Sequence, residues 1–401
     1  MRDFTSFFLM DTEDVRRYAV EVLHFFEPGE ALVCTEIGDG NINYVFRVRS
    51  EADGRSLVIK QADRLLRSSG RPLDRNRSRI EAAALKLEGE LAPGMVPRVY
   101  FYDEILSATA MEDVSDYRNL RGELLAGRFY PHLSESISDF MADTLLPTTD
   151  LVLDAEEKKR RVRFFTNPEL CKITEDLVLT EPYDDYKGRN ILTPGNEDFV
   201  RELLYEDRSL HAEAALLRLN FMNNAQALLH GDLHSGSIFI NETGIKVLDP
   251  EFAFYGPMGY DIGNVLGNLF FAWANKAFCH PEERELAEAL ARCIAEIYDL
   301  TRAKLEAGYE RLVALPLYRV AAFRATWLDG VMADALGYAG TEILRRVVGD
   351  TKVAEVSSVT DPALRLPMER ALIRLGVELI KQRTQLRSGG ETVQLFTSIL
   401  P

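Results

Sequence analysis

Apolar positions recur at helical spacing over residues 12–25, where Val15, Tyr18, Ala19 and Val22 share one face. The period then shortens. Residues 32–37, 44–49 and 56–60 read as strands, and Asp53-Gly54 marks a hairpin turn between the last two. Residues 77–90 return to helical spacing at Ile80, Ala84 and Leu87 until Val96-Pro97 interrupts the pattern. Residues 99–102 and 108–111 read as two more strands. From about residue 120 the pattern is mainly helical, broken by strand-like runs at 236–240 and 245–248 and by loops at Gly195-Asn196 and Asp361-Pro362. The change of period near Glu112-Asp113-Val114-Ser115 divides the chain into a small sheet-and-helix part, 1–113, and a larger helical part, 114–401. The expected class is α+β, in two lobes. Clefts between such units are the usual place for a ligand.

Composition narrows the functions open to this plan. Of 401 residues, 47 are Lys or Arg and 63 are Asp or Glu, a formal charge of −16. Nucleic acids and anionic membranes need a basic face, so neither is an expected partner. With 46% hydrophobic and 27% charged residues, the chain has the mix of a globular protein rather than a disordered one. Cys34, Cys171, Cys279 and Cys293 are scattered without a CxxC pair, which argues against a zinc site or a disulfide framework. The acidic start lacks the long apolar run of a signal peptide, and the most apolar stretch, 262–274, is too short to span a bilayer. The expected location is the cytoplasm.

The densest chemistry lies in His230-Gly231-Asp232-Leu233-His234-Ser235-Gly236-Ser237 and, after a short interval, Lys246-Val247-Leu248-Asp249-Pro250-Glu251. Asp232 and Asp249 are 17 positions apart, with two short apolar runs between them. A strand-turn-strand hairpin would put both carboxylates at one end. Phosphoryl transfer uses such a pair, one carboxylate for the attacking hydroxyl and one for Mg²⁺ on the phosphates. Two turn aspartates on a surface hairpin is the plainer reading of the same spacing.

These two motifs resemble the catalytic and metal loops of the protein-kinase-like fold, in its aminoglycoside- and choline-kinase branch. The fuller run GDLHSGSIFI…KVLDPEFAFYGPMGYDIGNVLGNLF is closer still to the methylthioribose kinase family. So are DRNRSRIE (74–81), MEDVSD (111–116), FTNPELCKITEDLVLTEPYDD (165–185) and FMNNAQALLHGDL (221–233), which spreads the resemblance over nearly the whole chain. It implies ATP and Mg²⁺, with Asp232 as base or orienter and Asp249 and Glu251 as metal ligands. Ser237 stands where protein kinases have a metal-binding Asn; a hydroxyl is a poorer Mg²⁺ ligand, and this family has the same Ser together with Asp-Pro-Glu.

The resemblance also assigns the nucleotide side. Gly38, Asp39, Gly40, Asn41 and Asn43 would cover the phosphates, although a Gly turn between strands is equally a hairpin turn. Lys60 stands where a kinase places its phosphate-pairing lysine, and Glu81, on the next helix, where its carboxylate partner belongs. The backbone of Glu112, Asp113 and Val114 would meet the adenine edge. Downstream, Arg345 and Arg346 match a twin arginine that contacts the sugar and the transferred phosphate. Adjacent helical residues point about 100° apart, so only one of the two is expected to face the ligand directly.

The reaction the resemblance implies is phosphorylation of 5-methylthioribose at its anomeric 1-hydroxyl, a methionine-salvage step, by a homodimer in the family's manner. Two loops depart from the family: 68–72 and 186–192 lack its tryptophans. They leave open a related acceptor such as 5-deoxyribose, and more remotely an aminoglycoside- or choline-type amine. Other features read as structural. Lys158 to Arg161 after Glu156-Glu157 suggests ion pairs on an exposed helix, the basic residues between Lys60 and Arg79 a solvated loop, and His230 and His234 supports for the catalytic loop.

Overall fold

The computed structural model describes residues 3–37, 43–65 and 72–400. The chain forms two compact units, Met1–Tyr117 with Lys246–Glu251, and Arg118–Ile245 with Phe252–Pro401. The class is α+β, as expected. The sequence reading placed the break at 113 and kept the metal loop in the helical part; the contacts instead group Lys246–Glu251 with the sheet.

The first unit is built on a five-stranded antiparallel sheet. Its strands run Leu32–Glu36, Asn43–Ser50, Ser56–Ala62, Ala108–Glu112 and Val99–Asp103 in spatial order. Helix Thr12–Glu21 starts on a capping box, in which Asp11 accepts from the Glu13 and Asp14 amides and Asp14 reaches back to the Asp11 amide. Its Val15, Tyr18 and Ala19 close a core with Phe46, Val48, Leu57, Ile59, Ala108 and Ala110. Alternation along a strand sends every second side chain to the opposite face. Val45 pairs with Lys60, Arg47 with Val58 and Arg49 with Ser56, so these six lie on the face turned away from that core. A hollow of about 630 Å³ on this unit is lined by Thr35, Arg47, Arg49, Ser56, Asp113 and Ser115.

The strap Lys246–Glu251 is fastened to the same unit. Val247 N–H donates to the Met95 carbonyl at 2.8 Å. The buried Lys246 ammonium donates to both carboxylate oxygens of Glu112 at 3.0 and 3.1 Å. The strap is thereby held to the end of strand Ala108–Glu112 by a charge-assisted pair.

In the second unit, helix Gly259–Cys279 is buried along most of its length and packs against helix Ala321–Val348. Small residues permit the approach. A Cβ on Gly263 would lie 2.4 Å from the Ala335 carbonyl oxygen and 2.7 Å from the Ala339 nitrogen. Gly263→Ala should therefore cost about 1–3 kcal/mol of stability, the range for overpacking, read as an earlier urea unfolding midpoint. Short strand pairs complete the unit: Ala227–Leu229 with Phe254–Gly256, and Arg118–Asn119 with Ile238–Asn241. Pieces of two or three residues carry no readable period, which is why only the runs near 238 and 245 were visible in sequence.

One sequence reading is corrected here. Lys158 is buried, not solvated: its ammonium pairs with Asp150 at 2.9 Å, donates to the Gln226 carbonyl at 2.7 Å and lies 4.5 Å from the Tyr255 ring centre. Arg160 and Arg161 do form the expected pairs with Glu156 and Glu157. Among the described residues no helix is long and apolar enough to cross a membrane.

Candidate active site

In the first unit, Lys60 is the centre of a buried charge cluster. Its ammonium donates to Glu81 at 2.6 Å and to Asp249 at 2.7 Å. Burial would lower the lysine pKa, but Asp249, Glu81 and Glu251 together raise it above the usual range, so Lys60 stays charged. Glu81 is pushed up to about 7, first by burial and then by its carboxylate neighbours, with Lys60 opposing. Asp249 takes a left-handed backbone conformation (φ 66°) just before Pro250. Its side chain remains largely exposed.

Glu251 is buried beside this cluster. Asn43 donates to it at 3.3 Å and the Arg77 Nε lies 3.7 Å away. Burial, with Asp249, raises its pKa. Arg77 also donates to the Asn43 side-chain oxygen at 3.0 Å and to the carbonyls of Asp63 and Asp74 at 3.1 and 3.0 Å. This corrects the reading of the basic run after Lys60, because its Arg77 is a buried organiser of Glu251 and Asn43. Three carboxylates therefore face two cations. The surplus negative charge and the hard oxygen donors of Asp249 and Glu251 fit a divalent cation such as Mg²⁺.

Gly38, Asp39, Gly40 and Asn41 lie outside the described residues. After strand Ala108–Glu112 the side chains of Glu112 and Asp113 are already engaged. Glu112 pairs with Lys246, and Asp113 with Arg47 at 2.9 Å. The Glu112 N–H donates to the Arg98 carbonyl at 2.8 Å, which takes up that donor, and the Val114 carbonyl accepts from Tyr117 N–H at 2.9 Å, keeping its second lone pair.

In the second unit, the loop His230–Ser237 leaves strand Ala227–Leu229 through a sharp turn. Gly231 has φ 82°, and a Cβ there would stand 2.4 Å from the Phe252 carbonyl oxygen, so only glycine fits. Asp261, at the start of helix Gly259–Cys279, accepts from the His230 and Gly231 amides at 2.7 and 3.0 Å. Burial lifts its carboxyl to about 7 against the pull of those amides. The Asp232 amide donates to His230 Nδ1 at 3.2 Å. Its carboxylate is 3.4 Å from His234 Nε2. Burial acts to raise the Asp232 pKa, but His234, Arg346 and Arg345 outweigh it and hold this carboxyl well below the usual range. Ser237 is buried, and its Oγ accepts from the His234 amide at 2.9 Å while lying 2.9 Å from the Asp232 and His234 carbonyls. It is a loop-forming hydroxyl.

The arginine pair converges on one carboxylate. Both side chains turn back one helical turn onto Glu342, Arg345 Nε at 3.0 Å from one carboxylate oxygen and Arg346 Nε at 2.9 Å from the other. Spacings of three and four residues share a helix face, so one carboxylate gathers both guanidiniums although their Cα–Cβ bonds diverge. Both act on Asp232 electrostatically. Against the desolvation that would raise it, the two arginines hold Glu342 at about 2. Asn268 lies 3.4 Å from Glu342 and accepts from Arg121 at 2.6 Å. The end of the arginine helix is tied to loop 186–192: Ile191 N–H donates to the Val348 carbonyl at 3.0 Å, and Lys352 donates to the Ile191 carbonyl at 2.6 Å.

The family described as APH, phosphotransferase enzyme family, matches residues 33–305. A methylthioribose kinase of Geobacillus sp. (strain WCH70) is 39% identical over 376 residues, 93% of this chain and 92% of that protein. One from Bacillus pumilus (strain SAFR-032) is 37% identical over 377 residues, 93% of each. The chain belongs to the methylthioribose kinase family. Among solved structures it is similar to a choline kinase from Cryptosporidium parvum Iowa II, at 15% identity and a TM-score of 0.48 over 98% of each chain. Membership of the methylthioribose kinase family makes the protein a kinase, in which ATP is a substrate.

The structure brings together Asn43, Lys60, Glu81, Asp249 and Glu251 in one cluster; Arg345 and Arg346 gather on Glu342 and lower the Asp232 pKa through space without a direct bond to it. Sequence reasoning missed Arg77, Asp261 and Glu342. Glu342 left a signal, an acid three and four positions before the arginines. Arg77 and Asp261 left none outside the quoted motifs.

Proposed function

We propose that this kinase transfers the γ-phosphoryl group of ATP to the anomeric 1-hydroxyl of 5-methylthioribose. The sugar oxygen forms the new P–O bond, the bond from the γ-phosphorus to the β–γ bridging oxygen breaks, and ADP leaves. The observation that carries this reading is the pair of guanidiniums, Arg346 buried and Arg345 partly so, that share Glu342 and favour the ionised Asp232. That arrangement suits a neutral hydroxyl acceptor and an anionic phosphoryl group. A cationic amine acceptor would need a surplus of negative charge, whereas here Glu342 is already taken up by the two guanidiniums.

A carboxyl held so far below its usual pKa is a weak base at the outset. Asp232 therefore first orients the hydroxyl by accepting its hydrogen bond, and takes the proton late, as the P–O bond forms. This order suits a loose transition state. Lys60, aimed by Glu81, would neutralise the nucleotide phosphates, and the hollow beside Asp113 offers room for the base end. Asp249 and Glu251 would hold Mg²⁺, which when bound neutralises phosphate oxygens. A cytoplasmic homodimer completes the reading.

The test is ADP release across a panel of acceptors. The highest kcat/KM should fall to 5-methylthioribose, with 5-deoxyribose next and no turnover of choline or an aminoglycoside. Faster turnover of either amine would overturn the assignment. For the metal, Glu251→Gln should weaken Mg²⁺-dependent ATP binding about 10-fold or more, the scale of losing a carboxylate ligand or its support, as read by calorimetry. Unchanged Mg²⁺ dependence would remove Glu251 from the metal site.

A further inference from the structure

We propose that His234 is a positioning residue that fixes the Asp232 carboxylate, holding Oδ2 so that Oδ1 is presented to the acceptor hydroxyl; this rests on Asp232 being the base. The imidazole is fixed at Nδ1 and faces the Asp232 carboxylate with Nε2. Nδ1 accepts from the Gly236 and Ser237 amides at 3.0 and 3.2 Å. Two N–H groups aimed at one ring nitrogen require its lone pair, so in the neutral ring the proton sits on Nε2. Nε2 is the atom 3.4 Å from Asp232 Oδ2.

The loop is shaped around this ring. A Cβ on Gly236 would lie 2.8 Å from His234 Cε1 and 3.0 Å from Nδ1, so a larger residue would push the ring aside. Ser237 Oγ accepts from the His234 backbone amide and closes the turn. The histidine thus links the rigid part of the loop to the carboxylate. Without it, Asp232 keeps its charge and the attraction of Arg345 and Arg346 but loses a fixed orientation about its own side-chain bonds. A misplacement of about 1 Å costs on the order of 10²-fold in rate.

The test uses the full chain and measures kcat, KM for 5-methylthioribose and Kd for ATP, with single-turnover rates for slow variants. His234→Ala should lower kcat by about 10- to 100-fold and leave the ATP Kd within about twofold. His234→Gln, whose amide N–H reaches nearly the same place as Nε2–H, should recover most of that loss. In an Asp232→Asn background, His234→Ala should cost almost nothing further, because groups that act as one unit are not additive. A full extra loss there would show that His234 acts independently of Asp232 and would overturn the proposal, leaving the base assignment intact. Parent-like turnover of His234→Ala beside a crippled Asp232→Asn would do the same. Normal turnover of Asp232→Asn would instead defeat the base assignment itself, and the proposal with it. Should His234→Ala not fold, Gly236→Ala displaces the ring by bulk, and the same cycle with Asp232→Asn decides.

Discussion

Asp232→Asn is expected to lower kcat at least ~10²-fold while leaving the affinity for ATP essentially unchanged, since a positioned acid-base group contributes about 10²–10⁴. The amide is nearly isosteric and still meets His234, so the loop should hold its shape. What is lost is the charge that draws the acceptor proton and the acceptor for its final transfer. The nucleotide cluster around Lys60 belongs to the other unit, which is why ATP binding should be spared. The pKa shift adds a second expectation. His234, Arg346 and Arg345 depress the Asp232 carboxyl against its desolvation, so it is ionised at and above the ordinary carboxylate range. Lowering the pH from 8 to 5 does not protonate it in the free enzyme. Any acid limb of kcat/KM in that window must arise elsewhere, and should survive in the residual activity of Asp232→Asn. An inflection that vanished with this substitution would contradict the depressed pKa.

The sequence made the sheet, its hairpin and the helix bearing Glu81 legible, because each repeats a period over at least one strand or helical turn. The cluster around Lys60 was legible through its resemblance to a family motif. What stayed hidden was the second set of charges behind each functional group. Arg77 reads as one more cation in a basic run until folding buries it against Asn43 and Glu251. Asp261 sits in an apolar helix, and its task, accepting two amides 30 and 31 positions upstream, has no local trace. The pairing of Lys246 with Glu112 is of the same kind, a contact between distant segments that a one-dimensional pattern does not encode. The arginine pair shows a contact that side-chain direction alone does not encode. The 100° rule describes Cα–Cβ directions, and long side chains override it when a single carboxylate one turn back offers both an acceptor.

That shared carboxylate determines how the arginines must be tested. Replacing Arg345 and Arg346 together by Ala removes two guanidiniums able to bond both a sugar hydroxyl and the equatorial oxygens of the phosphoryl group, which a lysine does less well. The expected loss in kcat/KM is on the order of 2–4 kcal/mol, comparable to losing an oxyanion donor, with the sugar KM raised, kcat lowered and the ATP Kd nearly unchanged. The same substitution also strands Glu342, a buried carboxylate now held at about 2 by these two cations. An uncompensated buried charge costs about 3–5 kcal/mol of stability, and a loss of activity could then reflect a loosened helix rather than a missing contact. Adding Glu342→Gln separates the two. The triple variant should regain much of the thermal stability lost by the double one, yet show the same deficit in kcat/KM. If it instead retained its kcat/KM for 5-methylthioribose and for the 5-deoxy sugar, the arginines would have no part in the acceptor site. An amine acceptor would then be the better reading of the second unit.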